Sequence, residues 1–429
     1  MSVKTPIHDF LINYGVQKRV SCHMPGNKGR LTLNSAHDIT EINGADSLYE
    51  SRGIIAESEC IAASLFGAEH TLFSCSGSTL AIQAMLALVK SNGGNRIAAF
   101  RYAHRSFVSA AALLGFDVDW IYPKAFLSAE VTPDNINAAI KTDTAAVFLN
   151  SLDYYGQACG VKSAAEVCKA ANIPLLVDNA HGAYLVFTDK HPLALGAAMT
   201  ADSAHKTLPA LTGAAYLHIK EKGFAESAKA MTALFGTSSP SYLLLESLDL
   251  CNKHIAEDKP KAFNLIAGLK VNLRGLGFRL RESDALRITV NTRESGYTGA
   301  EFAEKLRENN VECEYADENC TVLLFSTVST IDDVNAVRAA FENIERKKPL
   351  KPSIIPVLRP KRIMSVREAL FVPDRDCLFL PPGDAVGKVC AGIYAPCPPC
   401  VPFIMPGEKI GEEEAGLLKH FGVSSIRTL

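Results

Sequence analysis

Between about residue 55 and residue 220, short apolar runs alternate along the chain with stretches of helical length and pattern. Apolar runs bounded by turn signals are typical of buried strands, and their alternation with helices is typical of a parallel sheet covered on both faces. The pattern therefore predicts an α/β fold with a mostly parallel sheet, in which Ser78 and Ser163 are helix N-caps. The predicted strands are 70–77, 96–103, 118–123, 144–151, 173–180 and 213–219, with helices between them such as 78–92 and 163–172.

After a helical stretch over 240–257 the pattern changes to strand, helix, strand, helix, with strands at 285–292 and 311–326. This series has the size of a small second domain. A basic, proline-rich segment over 347–362 follows as a connector. We expect an N-terminal segment over 1–50, a large α/β domain over 51–260, a smaller α/β domain over 261–346 and a C-terminal module over 347–429.

Composition narrows the class of protein. The 429 residues are 48% apolar and 21% charged, with a formal net charge of −2, which is typical of a globular protein and gives no field to attract nucleic acid or an anionic membrane. The first residues lack the apolar core and cleavage site of a secretory signal, and no stretch has the length of a membrane span. We therefore expect a cytoplasmic protein that binds neither nucleic acid nor membrane.

The 12 cysteines are scattered along the chain. Cys60, Cys168 and Cys251 lie in apolar segments, where a reduced thiol behaves as a small hydrophobic side chain, and we expect them in the core. One cluster contains Cys390 and the pair Cys397 and Cys400. A Cys-x-x-Cys pair can bind zinc or cycle as a dithiol, but this one encloses Pro-Pro and has no second pair at zinc-finger spacing. We interpret the cluster as a structural loop and predict no metal site.

Polar residues follow the predicted strands, at the edge where ligands bind in open α/β sheets. Gly77, Ser78 and Thr79 begin a helix, and the N–H groups at such a start, with two hydroxyls, suit a phosphate. His104 follows another strand, where an imidazole would stack on a flat ring. Asp178 follows the apolar "IPLLV" and would hold the protonated nitrogen of a pyridine ring.

Lys206 lies in "SAHKTLPALTGAAYLHI", between a polar stretch and an apolar strand. Partial burial lowers the pKa of a lysine, so that its amine can form an imine with an aldehyde. A phosphate loop, a stacking histidine, an aspartate and this lysine follow one another in that order, which favours a pyridoxal 5′-phosphate (PLP) enzyme of the aminotransferase-like fold. The dinucleotide fingerprint G-x-G-x-x-G is missing after the first strand, which disfavours a nicotinamide cofactor.

The chain resembles the Orn/Lys/Arg decarboxylase family, PLP-dependent enzymes of the aminotransferase-like fold type I. Because it begins almost directly at "HMPGNKGR", it looks like the short form without the N-terminal wing domain, similar to compact bacterial arginine decarboxylases. The domain over 51–260 is then the PLP-binding domain. The matching stretches include "HMPGNKGR" (23–30), "AASLFGAEHTLFSCSGST" (62–79), "RYAHRSF" (101–107), "VDNAHGAY" (177–184), "SAHKTLPALTGAAYLHI" (203–219) and "VPFIMPGEKI" (401–410).

The resemblance implies a role for each candidate site residue. Lys206 would attach the cofactor aldehyde as an imine, and Asp178 would pair with the pyridine nitrogen. Lys206 or His205 would return a proton to the substrate. The further cofactor contacts that it implies are His104 stacked on the ring, His181 beside it, Gly77, Ser78, Thr79, Ser203 and His205 at the phosphate, and Thr237 and Ser238 from the partner chain of a homodimer.

The implied activity is decarboxylation of a basic amino acid to its amine and CO₂, a step of polyamine biosynthesis, with arginine favoured over lysine and lysine over ornithine. The distal cation of such a substrate needs an acidic or carbonyl-rich wall. Asp153, Glu314 and Asp317 are candidates for that wall, and each is also interpretable as a solvated surface carboxylate.

Two alternatives stay open. The first is another PLP-dependent reaction, such as that of an aminotransferase or lyase, in which Arg287 would grip the substrate carboxylate; otherwise Arg287 is a surface arginine at a strand end. The second is a catalytically impaired PLP-binding paralogue. Departures from the family pattern at Asn27, Leu80 and Asp153 motivate this second alternative, and Asn179 is a further departure, at a position that varies among the longer members of the family.

Overall fold

The computed structural model describes residues 20–22, 45–128, 130–257, 260–395 and 401–429. In chain order, its strands are β1 Val20–Cys22, β2 His70–Ser74, β3 Arg96–Phe100, β4 Asp117–Ile121, β5 Thr144–Asn150, β6 Leu175–Asp178, β7 Met199–Asp202, β8 Ala215–Ile219, β9 Arg287–Asn291, β10 Val311–Cys313, β11 Tyr315–Ala316, β12 Cys320–Leu324, β13 Leu378–Leu380 and β14 Ile426–Thr428. Its α-helices are α1 Ile54–Phe66, α2 Gly77–Ser91, α3 Arg105–Leu114, α4 Pro133–Ala139, α5 Val161–Ala171, α6 Ala204–Thr207, α7 Ala228–Ala233, α8 Tyr242–Glu257, α9 Ala262–Gly275, α10 Gly299–Glu308, α11 Ile331–Glu342, α12 Val366–Leu370 and α13 Glu412–His420. Short 3₁₀ turns lie at Ala183–Phe187, Lys222–Phe224, Thr292–Ser295 and Asp374–Asp376.

The chain divides into two compact units. The larger unit contains the seven-stranded sheet that is described next. It also contains the C-terminal stretch, Ile355–Leu429. The smaller unit contains the strands and helices from α9 to α11. Of the described residues, those within Leu33–Ala204, Ala210–Asp258 and Ile355–Leu429 form the larger unit, and those within Met1–Thr32, His205–Pro209 and Lys259–Ile354 form the smaller unit.

Seven strands of the larger unit form one sheet in the order β2-β8-β7-β6-β5-β3-β4. The strands from β3 to β7 pair in parallel with their neighbours, whereas β8 is antiparallel to both β7 and β2. The direction of β2 is therefore the same as that of the parallel strands. The prediction of an α/β fold with a mostly parallel sheet is confirmed.

The strands are apolar because helices cover the sheet, and parallel sheets are normally buried on both faces. Every residue of β6, β7 and β8 is buried. The sequence pattern does not predict β7, because this strand is only four residues long and half of it, Thr200 and Asp202, is polar. A buried polar strand gives no apolar run.

Helix α2 is extensively buried in the larger unit. Residues 80–82 and 84–89 of this helix are all buried, as expected for a helix that is apolar on nearly every side. The N-cap of α2 is Ser76, and α5 follows Gly160, so the predicted N-caps Ser78 and Ser163 are wrong. The helices begin earlier, and the Ser163 hydroxyl instead donates to the carbonyl of Gly160 at 2.9 Å.

The smaller unit contains a three-stranded antiparallel sheet in the order β11-β12-β9 and a parallel pair of β1 and β10. Helices α10 and α11 begin at capping boxes formed by Thr298 with Glu301 and Thr330 with Asp333. The predicted single strand over 311–326 is in fact three short strands, because β10 pairs with β1, whereas the chain turns after β11 so that β11 pairs with β12.

Cysteine placement corrects one prediction. Cys168 and Cys251 are buried, as expected, but Cys60 is exposed on α1. Cys390 is fully buried in the C-terminal part of the larger unit, and burial raises the pKa of its thiol to about 12. Cys397 and Cys400 lie outside the described residues. Each helix in the described part of the chain is too short or too polar to cross a membrane.

Candidate active site

The carboxyl ends of β3, β5, β6 and β7 lie at one edge of the sheet, because these strands run parallel in the same sheet. In open α/β sheets, this is the edge where ligands bind. His104, Ser151, Asp178 and Ser203 occupy or follow these strand ends. The position of the candidate residues at this edge agrees with their expected use as a ligand site.

The start of α2 brings two candidate residues to a third that follows β7. Gly77 has a φ of +66°, which glycine adopts readily, and its N–H donates to the carbonyl of Gly213 at 2.7 Å. Ser203 is buried, and its hydroxyl donates to that of half-buried Ser78 at 2.9 Å. Thr79 is exposed. The two serine hydroxyls therefore meet beside the first turn of a long helix.

The donors at this helix start fit a phosphate group. The first N–H groups of a helix have no partner within the helix, and the first turn of α2 contains no acidic side chain. Hydroxyl and N–H donors alone, with positive helix-end polarity, suit an anion. Leu80 is nearly inaccessible and belongs to the buried side of α2, so this departure from the family pattern contributes packing. Asn27, another such departure, lies outside the described residues.

Asp178 is the last residue of β6 and is only 7% exposed. Its Oδ1 accepts the N–H of Ala180 at 3.0 Å, and its carbonyl accepts the N–H of Ser151 at 2.9 Å. A buried carboxylate is stabilised by a cationic partner. Asp178 therefore has the chemistry required by the protonated nitrogen of a pyridine ring.

His104 is half-buried and is the N-cap of α3. Its Nδ1 accepts the N–H of Ser106 at 3.2 Å and lies 2.7 Å from the Ser106 hydroxyl. Since Nδ1 accepts a backbone N–H, the ring proton of neutral His104 is on Nε2. The helix start thus fixes both the position and the tautomer of the imidazole.

His181 lies in the loop after β6, where the Tyr154 ring contacts it edge-on, with 5.1 Å between ring centroids. Asp153, next to that tyrosine, is buried, and its Oδ1 accepts the N–H groups of Tyr155 and Gln157, both at 2.9 Å. The interpretation of Asp153 as a solvated surface carboxylate is therefore wrong. Asp153 stabilises the turn of its own loop.

Lys206 and His205 lie in α6, the short helix that directly follows β7 in the chain. Both residues belong to the smaller unit, within which the carbonyl of Thr207 accepts the N–H of Thr327 at 3.0 Å. Lys206 is half-buried and His205 is buried. The role of Lys206 as an imine-forming amine stays a prediction.

Thr237 and Ser238 are exposed in the loop between α7 and α8. The Thr237 hydroxyl accepts the N–H of Ser239 at 3.2 Å. They follow the last strand of the seven-stranded sheet in the chain. Because both side chains are exposed, another protein chain could contact them.

The remaining candidates of the smaller unit are positioned by local interactions. Arg287 is buried and forms an ion pair with Asp284, so its interpretation as a surface arginine is wrong. Asp317 is half-buried, and its Oδ1 accepts the N–H groups of Asn319 and Cys320 at 2.7 and 2.8 Å. Glu314 is also half-buried. Neither carboxylate is fully solvated.

Sequence reasoning misses a buried polar network behind the strand ends. The Nδ2 of Asn179 donates to Oδ2 of Asp202 at 2.6 Å, and Oδ2 also lies 2.9 Å from Nε2 of His191. The hydroxyl of Ser151 donates to Oδ1 of Asn179 at 2.6 Å. The sequence marks Asn179 only as a departure from a family pattern, and nothing in that pattern links it to Asp202.

Two titratable groups of this region have shifted pKa values. Burial raises the pKa of Asp202, but the neighbouring His191 and His218 and the donor Asn179 together lower it by more, so that the net shift is downward. Burial lowers the pKa of His218 to about 3, although Asp202 opposes this shift. Asp202 is therefore ionised and His218 neutral near pH 7.

The sheet, its helices and the ligand-binding edge define an aminotransferase-like enzyme fold of type I. Lysine decarboxylase A from Pseudomonas aeruginosa has a similar structure, with a TM-score of 0.73 and 16% identity, over 90% of this chain and 69% of that chain. The model of the family "Orn/Lys/Arg decarboxylase, major domain" matches residues 5–276. The chain belongs to the Orn/Lys/Arg decarboxylase family and is thus an amino-acid decarboxylase, a carboxy-lyase, which confirms the resemblance.

Relatives of similar length support the same family. An arginine decarboxylase of Halalkalibacterium halodurans is 28% identical, over 97% of this chain and 93% of that protein. An arginine decarboxylase of Bacillus subtilis is 27% identical, over 96% of this chain and 92% of that protein. The similarity therefore extends over both compact units and includes the C-terminal stretch.

Proposed function

We propose that this protein is a PLP-dependent decarboxylase that converts a basic amino acid to its amine and CO₂. The observation that carries the proposal is that the hydroxyls of Ser78 and Ser203 meet at a helix start on the same sheet edge as the buried carboxylate of Asp178. A phosphate and a cationic ring nitrogen are the two polar ends of PLP. Family membership supports the same cofactor.

The proposed phosphate contacts are Gly77, Ser78, Thr79, Ser203 and His205. Asp178 would keep a proton on the ring nitrogen, and His104, whose tautomer Ser106 fixes, would lie against the ring with His181 beside it. Lys206 would be the residue that bonds to the cofactor aldehyde. Bound PLP would supply an electron sink for the electron pair that remains when CO₂ leaves.

The chain's own residues would then control orientation and protons. Asp178 would stay ionised opposite a protonated nitrogen, which draws electrons toward the ring. The half-buried amine of Lys206 or the imidazole of His205 would return a proton to the α-carbon. The ring contacts of His104 and His181 would hold the cofactor ring in place, while the orientation of the bound substrate would decide which bond to its α-carbon breaks.

Arginine is our first choice of substrate, followed by lysine and ornithine. The curated relatives named arginine decarboxylase support arginine, since they match this chain over nearly its whole length. We also propose a cytoplasmic homodimer in which Thr237 and Ser238 of one chain contact the cofactor site of the other. The amine product would make the reaction a step of polyamine biosynthesis.

The test is a screen of amino acids for CO₂ and amine with purified protein and added PLP. We expect turnover of arginine that Lys206→Ala abolishes, while Lys190→Ala, at an exposed lysine, keeps it. CO₂ from lysine or ornithine alone would change the substrate but retain the reaction. Keto acid without CO₂ would instead support an aminotransferase, and PLP binding without turnover of any amino acid would support an impaired paralogue.

The homodimer has a separate test. Lys206→Ala and a bulky variant such as Ser238→Trp should each be inactive, and a mixture of the two should regain activity if chains exchange. Recovery is expected because one mixed site would have both an intact lysine and an intact partner loop. A mixture that stays inactive although mixed dimers form would contradict the shared site.

A further inference from the structure

A buried polar network next to Asp178 in the sheet is centred on the carboxylate of Asp202, which Asn179 and His191 contact. Asp202 is fully inaccessible, and its Oδ2 accepts from Asn179 at 2.6 Å and lies 2.9 Å from His191 Nε2. A buried ionised carboxylate is costly unless hydrogen bonds compensate it. A neutral side chain of similar size would avoid this desolvation cost. The buried charge of Asp202 therefore raises the question of a functional role.

The strand register places this charge on the far face of the sheet from Asp178. Asp178 pairs with Ala201 in the β6–β7 ladder, so Asn179 and Asp202 are the next residues of the two strands and share the opposite face. The N–H of Asn179 donates to the carbonyl of Ala201 at 2.9 Å. The Asn179 side chain thus joins the end of β6 to the end of β7.

Ser151, at the end of β5, completes the connection. Its N–H donates to the carbonyl of Asp178 at 2.9 Å, and its hydroxyl donates to Oδ1 of Asn179 at 2.6 Å. The peptide unit between Asp178 and Asn179 is therefore bonded on both sides. These two backbone bonds hold the peptide unit, and the Asn179 side chain reinforces them with its own bonds to Ser151 and Asp202.

Three ligand-type side chains, His191, Asp202 and His218, lie together here, with ligand atoms within 4.8 Å of one another. Among the described residues, Asp202 Oδ1 and His218 Nε2 have no hydrogen-bond partner, so a divalent cation is the competing explanation. The tautomer of His191 argues against it. Nδ1 of His191 accepts the N–H of Leu193 at 3.4 Å, which favours the tautomer with the proton on Nε2; that nitrogen lies 2.9 Å from Asp202 Oδ2, to which it would donate, and 3.2 Å from Asn179 Nδ2.

A metal bound at Nε2 would reverse that tautomer. Nδ1 would then carry the proton and would face the N–H of Leu193, donor against donor. The hydrogen bonds of His191 are those of a donor to a carboxylate. They favour a charged hydrogen-bond network over a metal centre.

We propose that Asp202 is a positioning residue for Asp178: through Asn179 it fixes the carboxylate that would pair with the ring nitrogen of PLP. This inference rests on the proposed function. Asp202 touches neither cofactor nor substrate in this role. Its effect is transmitted by one charge-assisted hydrogen bond and one peptide unit.

The test exchanges the carboxylate and the amide. Asp202→Asn leaves two amides in contact, and Asn179→Asp leaves two carboxylates, whereas the double variant again pairs one carboxylate with one amide. The main measurement is the dissociation constant of PLP, from the visible absorbance of the bound cofactor. Urea unfolding of the cofactor-free protein and the metal content of the purified protein are measured in parallel.

We expect each single variant to bind PLP about tenfold more weakly or worse, and the double variant to regain most of the loss. Thr71→Val is the matched control. It removes the hydroxyl 2.7 Å from Nδ1 of His218, in the same buried region, and should lower stability while PLP affinity stays unchanged. Recovery by exchange would not follow from a general loss of packing.

Several outcomes would overturn the inference. They are unchanged PLP affinity in Asp202→Asn, a double variant no better than the single ones, a Thr71→Val variant that loses PLP as strongly, and an equimolar divalent metal whose removal by chelation unfolds the protein. Wild-type protein that binds PLP but releases no CO₂ would overturn the proposed function alone. Wild-type protein that binds no PLP would overturn both.

Discussion

Arg101 and Glu408 form an ion pair inside the larger unit, with 2.8 Å between Nη2 and Oε2 and side chains that are 1% and 2% exposed. Oε2 also accepts the N–H of Met405 at 2.7 Å, and Nη2 donates to the carbonyl of Phe403 at 3.1 Å. Burial raises the pKa of Glu408, and Arg101 only partly opposes this. The pair fastens the C-terminal stretch to the end of β3, close in sequence to His104.

Glu408→Ala should lower the free energy of unfolding by about 3–5 kcal/mol, because it leaves the Arg101 guanidinium buried without its counter-charge. Urea unfolding followed by circular dichroism measures this loss. Glu130→Ala is the control, since it breaks the Lys124–Glu130 bridge, whose side chains are 60% and 61% exposed. That loss should stay within about 1 kcal/mol. Comparable losses in the two variants would contradict the prediction.

His218 should make the protein sensitive to acid. Burial lowers its pKa from 6.5 to about 3, so below about pH 6.5 the unfolded chain binds a proton that the folded protein does not. The contribution of neutral His218 to the free energy of unfolding should therefore be complete above that pH and fall as the pH decreases toward 3. For one proton the decrease is about 1.4 kcal/mol per pH unit.

The His218→Gln variant removes this titration and retains a group able to bond with Thr71. Urea unfolding of both proteins over a pH series should give a shallower pH dependence for the variant. Measurements at pH 8, where His218 is neutral in both states, provide the reference. Parallel curves for the two proteins would refute the assignment.

Two glycines should respond in opposite directions to the same substitution. Gly299 begins α10, and a Cβ there would lie 2.2 Å from the carbonyl oxygens of both Asp317 and Cys320. Gly299→Ala should lower the free energy of unfolding by about 1–3 kcal/mol, because backbone atoms must move. Gly268 lies within α9, where an added Cβ would have nothing within 4 Å, and Gly268→Ala should raise the free energy of unfolding by about 0.5–1 kcal/mol. Urea unfolding of each variant measures the change in the free energy of unfolding. A change in the same direction in both variants would be inconsistent with this geometry.

Asp46 should act as the cap of α1 across a short loop. Its Oδ2 accepts the N–H groups of Gly53, Ile55 and Ala56 at 2.8, 3.1 and 3.3 Å. Burial raises the pKa of Asp46, but bonds from backbone N–H groups together lower it by more. Asp46→Ala should lower the free energy of unfolding by about 0.5–2 kcal/mol near pH 7.

Because the pKa of Asp46 is lowered by folding, its contribution is present above the ordinary aspartate range and is lost as the pH falls through the lowered value. The difference between wild type and Asp46→Ala should therefore vanish in acid, which urea unfolding at several pH values measures. Asp332→Ala, at an exposed first-turn aspartate of α11, should change stability little. A difference that persists in strong acid would argue against the cap.

The fold is largely accessible from the sequence because the strands around Asp178 and the helix start at Gly77 are marked by local patterns. An apolar run that ends in a polar residue identifies the carboxyl end of a strand, and that edge is where a ligand binds. Strand β7 escapes the pattern because Thr200 and Asp202 interrupt its apolar character. The prediction for Cys60 is wrong because the apolar residues that follow it in the sequence do not reveal that its own side of α1 faces solvent.

Long-range polar pairings are not accessible from the sequence. Arg101 and Glu408 are 307 residues apart, and although both lie in stretches that match the family, nothing in either stretch marks the two residues as partners. His191 lies in a loop where nothing marks it as the partner of Asp202. These polar pairs form only between segments that the fold brings together. A single sequence contains no local signal that shows which distant segments become neighbours.

The antiparallel strand β8 has a consequence for how the protein is made. Among the described strands, β8 is the only one that pairs with β2, and it separates β2 from β7. As the chain leaves the ribosome, β2 and the helix start at Gly77 must wait until Ala215–Ile219 has emerged before they can join the sheet. Pairings between distant segments form slowly. The helix start of the candidate site can therefore join the sheet only after the parallel strands β3 to β7 have emerged, although it precedes them in the chain, and chains truncated before β8 should lack it.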